Sequence, residues 1–75
     1  MFPIKAVQSH LGKKIQVEMK GDVTVLEGTL EGVDQYMNMH LEDTVELIDD
    51  ERKRMLGSVI IRGNNIVMIS PVEQF

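Results

Sequence analysis

The 75-residue chain contains no cysteine, so neither a disulfide nor a cysteine-ligated metal can stabilise it. At this length we expect one small domain over residues 1–75, near the lower size limit for a single hydrophobic core. Domains this small usually need further stabilisation, and association with other chains is the option that remains. The absence of cysteine is also compatible with a reducing compartment, and we expect a cytoplasmic protein.

Long apolar runs are absent as well, since the longest aliphatic stretch is Ile66 to Ile69. The sequence therefore predicts neither a signal peptide nor a membrane-spanning segment. Basic residues are not in excess, because eight of them face twelve acidic residues and the formal net charge is −4. General electrostatic binding of duplex DNA needs the opposite sign. Any binding of nucleic acid must rest on local recognition of bases, helped by a few well-placed cations.

Groups suited to catalysis or metal binding are also scarce. The two histidines, His10 and His40, lie far apart, and we identify no carboxylate at ligand spacing beside them. No serine lies in a nucleophile motif, and no glycine-rich phosphate loop is present. The sequence therefore predicts no enzymatic activity, no cofactor and no metal site.

The hydrophobic pattern predicts one short helix followed by five strands. The segment from Pro3 to Gly12 has apolar residues on one side and a glycine that can end a helix. Alternation of apolar and polar residues is clearest from Met37 to Ile48, where the odd positions include the apolar residues Met37, Met39, Leu41, Val45 and Leu47. The charged run from Asp49 to Arg54 is interpreted as an exposed loop. The predicted strands cover residues 15–19, 23–33, 37–48, 55–61 and 66–70.

These elements indicate an all-β fold. Gly28 and Gly32 lie inside the second strand and indicate a sharply bent sheet, which the helix caps at one end. Val59, Ile60 and Ile61 are consecutive, so we expect their strand to be covered on both faces. No later segment can cover the last two strands, whose apolar edges invite pairing with another chain. Head-to-tail pairing closes into a ring when the rotation permits, and we expect a cyclic homo-oligomer.

Two polar turns separate strand-like runs. The turn from Asp34 to Asn38 offers a carboxylate, an aromatic ring and an amide, and the turn from Arg62 to Asn65 offers a planar cation and two amides. A flat ring and hydrogen-bonding groups suit a flat ligand such as a nucleobase. We expect the two turns to meet and form one pocket.

The motifs in these turns resemble those of the Sm and Sm-like (LSm) proteins, and the resemblance covers essentially the whole chain. The first motif reads Gly28-x-Leu30-x-Gly32-x-Asp34-x-x-Met37-Asn38. The second reads Leu56-Gly57-x-Val59-Ile60-Ile61-Arg62-Gly63-Asn64-Asn65-Ile66.

The resemblance implies a helix capping a strongly bent, five-stranded, antiparallel SH3-like barrel that assembles through its fourth and fifth strands into a ring. The second motif is similar to the archaeal and eukaryotic version and lacks the Lys-His pattern of the bacterial hexamers, so a heptamer is favoured over a hexamer. Single-stranded, uridine-rich RNA at the inner rim is the implied ligand. The implied roles are RNA processing, stabilisation or turnover, with RNA-processing proteins as further partners.

The resemblance also assigns roles to residues. Tyr36 matches the position whose ring stacks on a base, and Asn38 matches the position that binds the base edge. Arg62 matches the residue that covers the base from the other side. Gly63 would let the backbone approach the base closely. Asp34 is expected to hold Asn38 or the turn in place, because a carboxylate would repel phosphate.

Two departures from the family pattern and several alternatives remain open at this point. Asn64 stands where the family often has Asp, and Tyr36 stands where many archaeal members have His. Tyr36 and Asn38 could be structural turn residues only. Arg62 could form an ion pair with Asp34. The alternative function is a ring-shaped scaffold for protein assembly with little or no affinity for RNA.

Overall fold

The computed structural model describes residues 4–21, 24–49 and 51–72. The described chain forms a short helix, five strands and one 3-10 turn. The helix is α1 (Ile4–Gln8), and the 3-10 turn is Gly63–Asn65. The strands are β1 (Lys14–Met19), β2 (Thr24–Val33), β3 (Met39–Ile48), β4 (Glu51–Ile61) and β5 (Ile66–Pro71).

The helix α1 is shorter than the predicted segment from Pro3 to Gly12. Beyond Gln8 the backbone tightens into bonds of three-residue spacing, from His10 N–H to Val7 C=O and from Leu11 N–H to Gln8 C=O. Gly12 follows with φ of 81°, the left-handed conformation expected of it. Pro3 and Val23, the first residue of the predicted strand at 23–33, lie outside the described residues.

The five strands form one antiparallel sheet in the order β4-β3-β2-β1-β5. The sheet bends where the register of β2 and β3 shifts, between Glu27 and Thr29 and again between Leu30 and Gly32. The first shift surrounds Gly28, where a Cβ atom would lie 2.8 Å from Thr44 Oγ1. The glycine therefore allows the two strands to approach closely, and the bend predicted from the glycines in β2 is confirmed.

One face of the bent sheet packs on a hydrophobic core. Fully buried Ile15, Val17, Leu30, Met39 and Leu41 form its centre, and α1 contributes Val7. The apolar side of α1 therefore packs on the sheet, and a helix this short needs such packing to be stable.

The predicted alternation in β3 is confirmed at Met39, Leu41, Val45 and Leu47, which are buried. Two details of this prediction were wrong. Thr44 is fully buried, because the register against β4 shifts around Asp43, which has φ of 53°, and shifts again between Thr44 and Val45. Val45 and Leu47 therefore keep their buried positions. Met37 has φ of 66° and belongs to the preceding turn, so β3 begins at Met39.

The prediction of an exposed loop from Asp49 to Arg54 was wrong about the loop from Glu51 onward, although Glu51, Arg52 and Arg54 are exposed. Asp49 lies in a turn, and Asp50 lies outside the described residues. Strand β4 begins at Glu51, and the register pairs Arg54 with Glu46 of β3. The Arg54 guanidinium lies 3.4 Å from a Glu46 carboxylate oxygen. Opposite charges on paired strands are compatible with a backbone ladder, and the solvated side of an edge strand accepts charged side chains.

Strands β4 and β5 are the two edges of the sheet. The expectation that β4 is covered on both faces is wrong for this single chain, because Ile61 is buried while Ile60 is 70 % exposed. On β5, Val67 and Met68 are also about half exposed. The described chain thus presents apolar side chains on both unpaired edges. No helix in the described part of the chain has the length and apolar character needed to cross a membrane.

Candidate nucleic-acid interface

The first polar turn is organised around the carboxylate of Asp34. Its Oδ1 accepts hydrogen bonds from the backbone N–H groups of Tyr36 at 2.8 Å and Asn38 at 3.0 Å. The Asp34 backbone N–H donates to Asn38 C=O, and its C=O accepts from Met37 N–H, both at 3.0 Å. An aspartate that bonds to the backbone two residues later is a common turn former. This network allows Met37 to adopt its positive φ and bury its side chain.

The second oxygen of Asp34 holds the side chain of Asn38. Asn38 Nδ2 donates to Asp34 Oδ2 at 3.0 Å. This bond, with those from the backbone of Asn38 and Tyr36, lowers the pKa of Asp34 below its ordinary value of 3.8. Asp34 is therefore ionised at neutral pH, and it lies in the position expected from the sequence, holding both the turn and Asn38.

The second polar turn is the 3-10 turn at Gly63–Asn65. Asn65 N–H donates to Arg62 C=O at 3.0 Å. Gly63 N–H donates to Asn38 Oδ1 at 2.9 Å, which joins the two turns through one side chain. A Cβ atom on Gly63 would lie 2.1 Å from the carbonyl oxygen of Tyr36 and 2.8 Å from Met37 Cβ. Only glycine fits at this crossing, so Gly63 is required by the contact between the turns.

An open depression lies where the turns meet, and we call it the two-turn depression. It is lined by Tyr36, Asn38, Arg62 and Gly63. Tyr36 is 71 % exposed, and Arg62 is exposed as well. The expected pocket is therefore formed by the residues named from the sequence, except that Asp34 lies behind Asn38 and does not line it.

The Asn38 amide keeps bonding capacity after its structural contacts. An amide nitrogen has two hydrogens and its oxygen has two lone pairs, and one of each is used by Asp34 and Gly63. One donor and one acceptor remain for a ligand. The alternative ion pair of Arg62 with Asp34 is absent among the described residues, so the guanidinium is available to a ligand.

Sequence reasoning missed Lys20, which lies outside both turns and lines the two-turn depression. Asn64 of the second turn and apolar residues that include Met37 and Ile66 also line it. Lys20 is placed there because its backbone N–H donates to Asn65 C=O at 2.7 Å. Lys20 directly follows Met19, which pairs with Ile66 at the start of the adjacent strand β5, and this pairing is set by strand register rather than by a local sequence signal.

A second polar cluster lies between β3 and β4. His40 Nε2 lies 2.5 Å from Glu42 Oε2 and 3.0 Å from Ser58 Oγ. The spacing of two residues between His40 and Glu42 places both on one face of a strand, a proximity that the sequence interpretation missed. Bonds from Ser58 and His40 lower the pKa of Glu42. Both contacts use the same ring nitrogen, so the cluster is not a relay in which Glu42 orients His40 to activate Ser58.

The described residues contain no group of three or more side chains arranged to hold a metal.

Comparison with known proteins identifies the class to which this fold and site belong. The family model of the LSM domain matches residues 5–71, and the chain belongs to this family of Sm and LSm proteins. A probable small nuclear ribonucleoprotein G from Dictyostelium discoideum is 44 % identical over 63 residues, which are 84 % of this chain and 73 % of that protein.

Solved structures agree with this assignment. The Sm-like protein AF-Sm2 from Archaeoglobus fulgidus is 47 % identical, with a TM-score of 0.89 and coverage of 96 % of each chain. An Sm protein from Pyrococcus abyssii, in complex with a uridine heptamer, is 30 % identical, with a TM-score of 0.86 over 96 % of this chain and 100 % of that one. A heptameric archaeal Sm protein is 33 % identical, with a TM-score of 0.82 over 92 % and 98 %.

These findings confirm the Sm-type fold, with five strands and an N-terminal helix, and the archaeal-type resemblance. Members of this family are RNA-binding proteins rather than enzymes, in agreement with the function class expected from the sequence.

Proposed function

We propose that this chain assembles into a cyclic homo-oligomer that holds single-stranded, uridine-rich RNA at its inner rim. The observation that carries the proposal is the hydrogen bond from Gly63 N–H to Asn38 Oδ1. It brings together an exposed aromatic ring, an amide with unused bonding capacity and a free guanidinium at one depression. The complex of the Pyrococcus abyssii protein with a uridine heptamer supports this choice of ligand.

Tyr36 supplies one face of each proposed base site. Stacking of a base on an aromatic ring contributes about 1–3 kcal/mol and discriminates little between bases. The Arg62 guanidinium is planar and can cover the other face of the base. The remaining donor and acceptor of Asn38 complement the edge of uracil, which presents both kinds of group. Each subunit thus holds one nucleotide.

Assembly follows from the two edge strands. Strand β4 exposes Ile60 and β5 exposes Val67 and Met68. Pairing of β4 with β5 of a neighbouring copy satisfies both backbone edges and removes these side chains from water. The heptameric archaeal Sm protein supports seven subunits as the ring size.

RNA processing, stabilisation or turnover is the proposed cellular role, and the cytoplasmic location expected from the sequence stays a prediction.

Titration of fluorescent oligouridine and oligocytidine, seven nucleotides each, tests this function. The native protein is expected to bind oligouridine more tightly. Tyr36→Ala is expected to weaken binding at least ~5-fold, since a stacked base is lost, whereas Tyr36→Phe keeps the ring and is the matched control. Because the Tyr36 side chain is exposed, neither change should lower the melting temperature. Absence of any oligouridine binding by the assembled protein would favour the alternative of a protein scaffold.

A further inference from the structure

The two-turn depression differs in charge from the rest of the molecule. The whole chain carries twelve acidic and eight basic residues. The described residues that line the depression include two basic side chains, Lys20 and Arg62, and no acidic one. Asn64, where the family pattern often has Asp, also keeps a carboxylate out of the lining. A locally positive surface on an acidic protein indicates an anionic ligand group at this place.

The proposed base contacts do not account for both cations. Arg62 is occupied when its guanidinium plane covers a base, although its N–H groups can still donate. Tyr36 and Asn38 address the base and carry no positive charge. A nucleotide held at this site also brings a phosphate, whose charge must be solvated or paired. Lys20 is the other positive charge in the lining.

Lys20 is exposed and has no ion-pair partner within the described residues. Its backbone is fixed, because Lys20 N–H donates to Asn65 C=O at 2.7 Å. The Cα of Lys20 is therefore tied to the same 3-10 turn that carries Arg62 and Gly63 at its start. The backbone of Lys20 is therefore fixed, whereas its side chain is flexible and ends in a charged ammonium group. Such a side chain can adjust its position to pair with a phosphate.

We infer that Lys20 contacts the RNA phosphate at each base site and thereby contributes affinity without base selectivity. The inference rests on the proposed function of the two-turn depression and deepens it. It adds Lys20, which directly follows β1, to a site otherwise formed by the two polar turns. In a ring of identical subunits the contact is repeated along the bound strand.

Salt-dependent titration of labelled oligouridine tests this inference with the full-length native protein. Lys20→Gln removes the charge, Lys20→Arg keeps it, and Lys13→Gln removes one charge from an exposed lysine that does not line the depression. Lys20→Gln is expected to weaken binding more than ~10-fold at 50 mM salt, with the slope of log affinity against log salt reduced by about 0.7 per lost phosphate contact. Lys20→Arg and Lys13→Gln are expected to remain within about twofold of the native protein.

The ratio of oligouridine to oligocytidine affinity separates a phosphate contact from a base contact. It is expected to stay the same in Lys20→Gln. A fall in this ratio, or an unchanged affinity and salt slope in Lys20→Gln, would overturn the assignment of Lys20 while leaving the proposed function intact. If the native protein binds no oligouridine at all, the proposed function fails and the assignment fails with it.

Discussion

The side-chain oxygen of Asn38 accepts a hydrogen bond of 2.9 Å from the backbone N–H of Gly63, a residue 25 positions later in the chain. The nitrogen of the same side chain donates to Asp34 at 3.0 Å. One amide therefore shapes the first polar turn and joins it to the second. In the proposed function the same amide also contacts the base, and these two roles can be separated by experiment.

Exchanging the carboxylate at position 34 and the amide at position 38 separates the structural role of Asn38 from its role in base binding. Asn38→Asp alone sets two carboxylates against each other and is expected to lower the melting temperature. Adding Asp34→Asn restores an amide-to-carboxylate bond in reverse, because the amide at position 34 can donate to the carboxylate at position 38. That carboxylate can still accept from Gly63 N–H. The double variant is therefore expected to regain much of the lost melting temperature, as measured by circular dichroism.

Binding of RNA by the double variant should remain weak. A carboxylate at position 38 has no N–H group for the base and repels the phosphate. Fluorescence anisotropy with oligouridine measures this directly. If the double variant bound oligouridine as tightly as the native protein, Asn38 would have only the structural role.

Gly63→Ala is expected to destabilise the fold by about 1–3 kcal/mol, because the added methyl group overlaps the carbonyl oxygen of Tyr36 and must displace one of the two turns. Gly32→Ala is the matched control, since the nearest atom to its added Cβ is His40 Cβ at 4.0 Å. Neither glycine has a positive φ, so the comparison isolates the steric effect. Urea unfolding of both variants provides the measurement, and equal stabilities would show that the turns can separate without cost.

The lowered pKa of Asp34 predicts that the stability of the fold depends on pH in the acid range. Its pKa is lowered in the folded protein, mainly by the bond from Asn38, so ionised Asp34 stabilises the fold. This stabilisation is complete above the unfolded-state pKa near 3.8 and is lost as the pH falls through the lower, folded-state pKa. Asp34→Ala is therefore expected to lower the melting temperature at pH 7, with the difference from native protein shrinking below pH ~3.8.

Glu42→Gln is the comparison for this acid effect. The pKa of Glu42 is also lowered, but its ordinary value of 4.5 is higher, so its contribution begins to disappear at a higher pH. Melting temperatures of both variants and the native protein across pH 2.5–7 distinguish the two carboxylates. A difference between Asp34→Ala and native protein that stayed constant to the lowest pH would contradict the prediction.

Ile60→Asp tests assembly through the edge strands. Ile60 is 70 % exposed on β4, so the change should have little effect on the folding of one chain. An unpaired carboxylate in the contact between copies would lose its hydration at a high cost in free energy. The change is therefore expected to dissociate the ring. Leu11→Asp introduces the same charge at an exposed apolar residue outside β4 and β5. Native mass spectrometry should give a ring for Leu11→Asp and smaller species for Ile60→Asp.

Much of the fold could be predicted from local patterns. Alternation marks β1 and β3, and the glycines of β2 mark the bend, because both are properties of residues close together in the chain. The run from Asp49 to Arg54 was interpreted wrongly because its charges resemble those of a loop. Only the register, which pairs Arg54 with Glu46, makes part of it a strand. The burial of Thr44 depends in the same way on a bulge that alternation alone does not reveal.

The candidate site likewise has one part that follows from local sequence and another that follows only from the tertiary structure. The amino-acid sequence alone determined the two polar turns, since Asp34, Asn38 and the Arg62-Gly63 pair belong to contiguous motifs whose turn chemistry is local. Only the tertiary structure decided that Asn38 bonds to Gly63 and that Lys20 enters the depression. The physical reason is that these contacts join residues far apart in the chain, and their alignment is set by strand register and packing rather than by any local preference.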